Sequence, residues 1–200
     1  MSRIFLLRHA HSQANAKGIL AGRMDGVALS KTGIAQLTNL KKRLDDSKFD
    51  QVISSPMQRC QETIAEFNLQ IELAEEFTEV HYGDWTGKRM SSLARNKAWR
   101  EIHRNPASVR FPNGETLPEV QTRALVGLDL KVNPKAKNIL ISTHADVVKV
   151  LIMHALGTHL NNIDKLQIDN ASVSIIDKNG TDFRVVKVND SSSKLSEMLI

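Results

Sequence analysis

Near its amino terminus the chain reads Arg3-Ile4-Phe5-Leu6-Leu7-Arg8-His9-Ala10-His11-Ser12-Gln13-Ala14-Asn15. Its apolar run is short and stops at a polar turn, which predicts a buried strand over Arg3–Leu7 that delivers Arg8 and His9 to its carboxyl end. Two later segments repeat the pattern. Gln51 to Ser54 predicts a strand running into Ser54-Ser55-Pro56, with Arg59 on the helix that follows. Asn138 to Thr143 carries Ile139, Leu140 and Ile141 and runs into Thr143-His144-Ala145. Helical spacing lies between these strands. Ser30 opens a stripe of Ile34, Leu37, Leu40 and Leu44, and a second stripe runs through Ile64 and Phe67. Leu117 to Leu130 puts Val120, Leu125 and Leu128 on one side, and Asp146 to Leu156 ends at Gly157, a suitable C-terminal cap.

Weaker signals complete the outline. Gln70 to Leu73 is a candidate third strand, and Lys178-Asn179-Gly180 predicts a hairpin between Ser172–Ile176 and Phe183–Val188. Residues 88–116 read as irregular or loosely helical around Pro106, Pro112 and Asn113-Gly114. The serine-containing tail Asn189–Ile200 is expected to fray. Alternating strands and helices predict an α/β fold with a mainly parallel central sheet. The expected organisation is one domain over 1–188, with an insertion at about 88–116 and a tail over 189–200.

Composition narrows the class. At 200 residues, 41% hydrophobic and 24% charged, the chain can build a core and is not a disordered or fibrous one. No apolar run approaches the roughly 20 residues of a membrane span, and Arg8 and His9 interrupt the first apolar run where a signal peptide would continue. A lone cysteine, Cys60, excludes an intrachain disulfide framework, so a soluble cytoplasmic protein is expected. The net charge of +5 suits either nucleic acid or small anions. Basic residues are dispersed and aromatics are only 4%, so no stacking platform for nucleic acid is visible and small anions are favoured.

In open parallel sheets, ligands sit beyond the carboxyl ends of strands. Here that rule brings Arg8, His9, Arg59 and His144 to one rim. Guanidinium forks match phosphate oxygens, and a neutral imidazole can accept a phosphoryl group on a ring nitrogen. A leaving alkoxide then needs a proton, and Glu79, just before His81-Tyr82-Gly83, is the best donor.

Leu6 to Asn15 resembles the signature of the histidine phosphatase superfamily, in its phosphoglycerate-mutase-like branch. The resemblance continues in order through Gly22-Arg23-Met24-Asp25, Leu29 to Gly33, Ser54 to Thr63, Glu79 to Gly87, Asn113-Gly114-Glu115-Thr116 and Ser142-Thr143-His144-Ala145. It implies a three-layer α/β/α domain whose insertion forms a small lid, and a phosphatase acting through a phosphohistidine on His9. Arg8, Arg59 and His144 would bind the phosphoryl group, supported by Asn15, Gly22 and Ala145, and Arg23 would sit at the mouth. Glu79 would protonate the leaving oxygen and then deprotonate water. The resemblance implies no metal and no cofactor; the partner is a small phosphorylated substrate, with neither nucleic acid nor membrane, and a homodimer is admissible.

Departures and alternatives stand beside this reading. Ala10 and Ala145 occupy positions where the family often has glycine, and His11 stands where it usually has Glu or Gln. The roles of His11, Arg104 and Arg110 are open. His9 and His11 are spaced as H-x-H, which could bind zinc with His81 or His144. Arg95, Arg100, His103, Arg104 and Arg110 in the insertion could meet an anionic substrate or merely solvate a lid. Arg23 divides between substrate contact and surface ion pair, Glu115 between the pocket and loop structure. His154 is expected in the core, Cys60 buried and inert. The alternatives to the phosphatase are a phosphoglycerate mutase, which the short chain disfavours, a silent phospholigand-binding module, and a nucleic-acid binder.

Overall fold

Six strands form one sheet in the order β3-β2-β4-β1-β5-β6 in the computed structural model, which describes residues 1–65 and 70–200. The strands are β1 (Ser2–Arg8), β2 (Gln51–Ser54), β3 (Ile71–Leu73), β4 (Asn138–Thr143), β5 (Val173–Asn179) and β6 (Asp182–Asp190). β3, β2, β4 and β1 run parallel, while β5 joins β1 antiparallel and β6 joins β5 antiparallel. The mainly parallel sheet and the terminal hairpin match expectation.

Helices cover both faces. They are α1 (Gln13–Ala16), α2 (Lys31–Leu44), α3 (Gln58–Ile64), α4 (Met90–Leu93), α5 (Lys97–Arg104), α6 (Leu117–Leu130) and α7 (Ala145–Ala155). Strand alternation explains the layering, because successive side chains point to opposite faces. Phe5, Leu7, Val52 and Leu140 pack with Leu37, Leu40 and Leu44 of α2 on one face. Ile4, Leu6, Ile53, Ile139 and Ile141 pack with Val120, Ala124 and Leu128 of α6 and Val147, Val148 and Leu151 of α7 on the other. Each fully buried aliphatic side chain contributes about 1.5–3 kcal/mol of transfer free energy.

Three expectations are corrected. Ile34 is 59% exposed. The buried stripe of α2 passes instead through Gly33, Leu37, Leu40 and Leu44. A Cβ on Gly33 would lie 2.1 Å from the His11 carbonyl oxygen, so only glycine lets the helix start against the loop after β1. His154 is exposed and meets Phe183 edge to face, with ring centroids 5.1 Å apart. The tail is docked rather than frayed. Leu195 is fully buried in the α2-side core. Ile200 exchanges two backbone hydrogen bonds with the Asn138 side chain. The buried Arg43 guanidinium donates to the carbonyls of Ala171, Asp190 and Ser193 and pairs with Asp190. Phe67, placed on the second helical stripe, lies outside the described residues.

The insertion is more regular than its sequence suggests. α4 and α5 close over the sheet rim, with Leu93, Ile102 and Phe111 buried beneath them. Trp85 packs against Trp99 and Phe111, with centroid separations of 5.3 and 5.8 Å. Leu195→Ala should lower the unfolding free energy by about 2–5 kcal/mol in urea titration, as for other large-to-small core substitutions. A loss below about 0.5 kcal/mol would mean that the tail is held only loosely.

Candidate active site

Parallel pairing puts the carboxyl ends of β1, β4 and β2 on one rim, because Arg8 is level with Thr143 and Ser54 with Ser142. The next residue of each strand turns into the site. The His9 amide donates to the Thr143 carbonyl at 2.9 Å, and the Ser55 amide to the Ser142 carbonyl at 2.9 Å. His9 and Ser55 are thereby fixed by the ladder itself rather than by flexible loops, and His144, the residue after β4, is held by its carbonyl accepting from the Val148 amide in the first turn of α7.

Arg59, in the first turn of α3, fills the space between them and is 1% exposed. Its Nε donates to His9 Nε2 at 3.3 Å, and its Nη2 donates to the Gly22 carbonyl at 2.8 Å and lies 3.2 Å from His144 Nδ1. Gly22 has a left-handed backbone, φ +50°, which turns that carbonyl to the guanidinium without strain. Arg59 Nη1 and Arg8 Nε are buried with no hydrogen-bond partner. Buried donors are seldom left unsatisfied, so two in one cavity mark a place for an anion.

The imidazole tautomers follow from their partners. His9 Nδ1 lies 2.7 Å from the Ala10 carbonyl, which can only accept, so Nδ1 carries the hydrogen and Nε2 the lone pair. Burial, then the Arg59 charge, holds His9 well below the usual histidine range, so the ring is neutral near pH 7. His144 is fully buried and lowered by the same two causes. Its Nε2 meets Ser55 Oγ at 2.8 Å, leaving Nδ1 on the cavity side toward Arg59 and Glu79.

Glu79 is nearly buried, and its Oε2 lies 3.6 Å from His144 Nδ1. Burial pushes its carboxyl up to about 7, assisted by Asp146 and opposed by Arg59. Its backbone is pinned: the Glu79 carbonyl accepts from Arg23 Nε at 2.9 Å and Arg123 Nη2 at 3.2 Å. Both guanidinium groups pair with Glu115, at 3.0 and 2.8 Å. Glu115 also accepts the His81 amide, which makes it part of the loop structure rather than of the pocket.

Arg8, His9, Asn15, Gly22, Arg59, Glu79 and Ala145 line one cavity of about 380 Å³, and His144 closes its floor behind Arg59 and Glu79. Asn15 Oδ1 is taken up by the Ser12 amide and hydroxyl, so its NH₂ is the end free to meet an anion. Arg23 is not brought into the lining; it supports Glu79 from outside. Ala10 does not adopt a positive φ, and its amide donates to Thr63 Oγ1, so glycine is not required there. His11 turns away to Ser30, with Nδ1 2.8 Å from the hydroxyl. Among the described residues, no group of three or more His, Cys, Asp or Glu side chains is arranged to hold a metal ion. Cys60 is buried and its thiol is pushed up to about 12, which leaves it inert.

Of the two readings open to the basic residues of the insertion, the arginines follow the second, a solvated lid. Arg95, Arg100, Arg104 and Arg110 are exposed and line no part of the cavity; Arg110 pairs with Glu119 and Arg104 with Glu101. Of these basic residues, only His103 reaches the cavity. Sequence reasoning missed Asp146 and Lys149, which line it from the first turns of α7. The available signal was the position of Lys149, four residues after Ala145 and three after Asp146, since both spacings share a helix face.

The same architecture recurs in known proteins. Phosphoserine phosphatase 1 of Hydrogenobacter thermophilus is 27% identical over 183 residues, spanning 88% of this chain and 86% of that protein. The 2,3-bisphosphoglycerate-dependent phosphoglycerate mutase of Pseudoalteromonas atlantica is 24% identical over 212 residues, spanning 88% and 93%. The crystal structure of the alpha-ribazole phosphatase from Shigella flexneri superposes with a TM-score of 0.81 at 28% identity, covering 96% of this chain and 98% of that one. The profile of the Histidine phosphatase superfamily (branch 1) matches residues 4–191, nearly the whole chain, and the protein therefore belongs to that superfamily.

Proposed function

We propose that the protein hydrolyses phosphate monoesters through a phosphohistidine on His9. The observation that carries the reading is a neutral imidazole whose Nε2 lone pair faces an unneutralised, buried guanidinium, beside a carboxyl pushed up to about 7. The phosphoryl group binds over Arg8, Arg59, Asn15 and the first backbone amides of α7, which begin at Ala145, where the helix N-terminus favours negative charge. His9 Nε2 attacks phosphorus in line with the ester oxygen. That P–O bond breaks, its electrons leave on the alkoxide, and Glu79 supplies the proton that makes it an alcohol. Water then attacks the phosphohistidine, Glu79 takes its proton, and inorganic phosphate leaves with His9 restored. Arg8, Arg59 and His144 stabilise the charge spread over the equatorial oxygens in both steps.

The phosphatase reading is favoured over a mutase because the exposed arginines of the lid give a second anionic group nothing to hold it. We further read residues 1–188 as one catalytic domain with its lid at about 88–116, acting in the cytoplasm, where a buried thiol such as Cys60 stays reduced. Among the described residues no helix is long and apolar enough to cross a membrane.

His9→Ala should abolish phosphate release from 4-nitrophenyl phosphate, and the acid-labile, base-stable phosphoenzyme trapped from the wild type should be missing. Glu79 is useful as an acid only while protonated, so kcat/KM should fall as pH rises through about 7. Asp146→Asn removes a carboxylate that raises Glu79, so that limb should move to lower pH. A wild-type profile flat from about pH 6 to 9 would overturn the role of Glu79. Arg23→Ala should lower kcat about 10-fold with KM within twofold, because it loosens the acid without touching substrate; a rise in KM alone would place Arg23 on the substrate instead.

A further inference from the structure

The cavity has two unlike parts. Its floor carries Arg8, Arg59 and the two histidines. Its outer wall is built by Leu20, Met90, Trp99, Ile102, Phe111 and Ile163, drawn from the segment before Gly22, from the lid and from the turn at Leu160–Lys165. Some of this surface serves the core, since Ile102, Phe111 and Ile163 are buried. Met90, however, is 41% exposed, and Trp99 and Leu20 are half-buried, so apolar surface is left open beside the reactive floor.

Charge in the outer part is already matched. Lys149 Nζ lies 3.8 Å from Asp146, whose other oxygen accepts the Tyr82 hydroxyl at 2.6 Å. His103 Nδ1 lies 2.6 Å from Asp164 at the rim. A carboxylate on the leaving group would meet two aspartates and no unpaired cation. A neutral apolar group would displace poorly held water from hydrocarbon and disturb neither pair.

We infer that this outer wall is a subsite for a bulky, uncharged, apolar leaving group, so that the preferred substrates are monophosphates of aromatic or branched-alkyl alcohols rather than phosphorylated acids. The inference rests on the phosphomonoesterase reading and deepens it. The subsite discriminates where the phosphoryl floor cannot, because every monoester presents the same phosphate. The lid is pinned to the Leu160–Lys165 turn by His103–Asp164 and by the Ala107 amide donating to Asn161, so the wall is preformed.

The test compares phosphate release from 2-phenylethyl phosphate, ethyl phosphate and 3-phosphoglycerate. The first two are unactivated primary alkyl esters, so their ratio reports mainly the wall. We expect kcat/KM for the phenylethyl ester to exceed both others by about 10-fold or more, the scale of burying an added apolar group. Trp99→Ala should remove most of that preference, read as the ratio of kcat/KM for the phenylethyl ester to that for the ethyl ester. Met90→Lys, at an exposed position that should not disturb folding, should shift the ratio toward 3-phosphoglycerate. Equal rates for the phenylethyl and ethyl esters, or a preference for 3-phosphoglycerate, would overturn the subsite and leave the phosphatase reading intact. Failure to release phosphate from any ester would overturn that reading, and the subsite with it.

Discussion

A lone guanidinium, sealed from water between two imidazoles, is the constraint on which the rest of the structure depends. Arg59 makes no ion pair among the described residues. An uncompensated buried charge costs several kcal/mol, so the fold must hold it by other means. It does so with the carbonyl of the Gly22 turn and with His9 Nε2, and His144 Nδ1 faces it from 3.2 Å, both histidines following directly on strand ends. The same charge acts in opposite senses on its neighbours' usefulness. It adds to burial in keeping both imidazoles neutral, which preserves a nucleophile. It only partly offsets burial at Glu79, which stays protonated enough to act as an acid. The floor is electrostatically incomplete until an anion enters.

Rigidity is distributed unevenly around that floor. The nucleophile and Arg8 sit on the ladder of β1, β4 and β2, where backbone hydrogen bonds fix them, and Arg59 is held against them from α3. The acid sits on a loop, and loops drift unless their polar groups are tied down. Here two guanidinium groups converge on a single carbonyl, and one carboxylate, Glu115, holds both. Arg23, Arg123 and Glu115 thus transfer the order of α6 to the Glu79 loop without any of them reaching the reacting atoms.

Much of this was legible in the residues. Short apolar runs ending in Arg8-His9, Ser54-Ser55 and Thr143-His144 located three strand ends, and the parallel-sheet rule placed those ends together. What escaped the sequence had physical causes. Ile34 looks like the core stripe, but the stripe runs through Gly33, whose lack of a side chain hides it from a hydrophobic pattern. The tail reads as polar, but Leu195 and the terminal amide of Ile200 dock because Arg43 and Asn138 supply partners far away in sequence. The lid arginines left substrate contact and a solvated lid equally open, because only the packed helices show that Leu93 and Ile102 turn inward and leave the arginines in solvent. Lys149 and Asp146 were passed over because an apolar helix reads as core, although its first turns open on the cavity.

These two halves have different origins and do different things. The floor is assembled from strand ends of the central sheet, so its geometry is set by backbone pairing and tolerates little change. The wall comes from the lid, the segment before Gly22 and the turn at Leu160–Lys165, all outside the strands, where side chains can be exchanged at the cost of local packing alone. Binding energy shared by all substrates cannot discriminate among them, whereas contacts to the departing group can. Selectivity is therefore confined to the part of the molecule that the sheet does not constrain. Arg110 and Arg104 of the lid pair with Glu119 and Glu101 outside, and the outer part of the cavity keeps only paired charges, so the wall selects by shape and apolar surface while the floor supplies the chemistry.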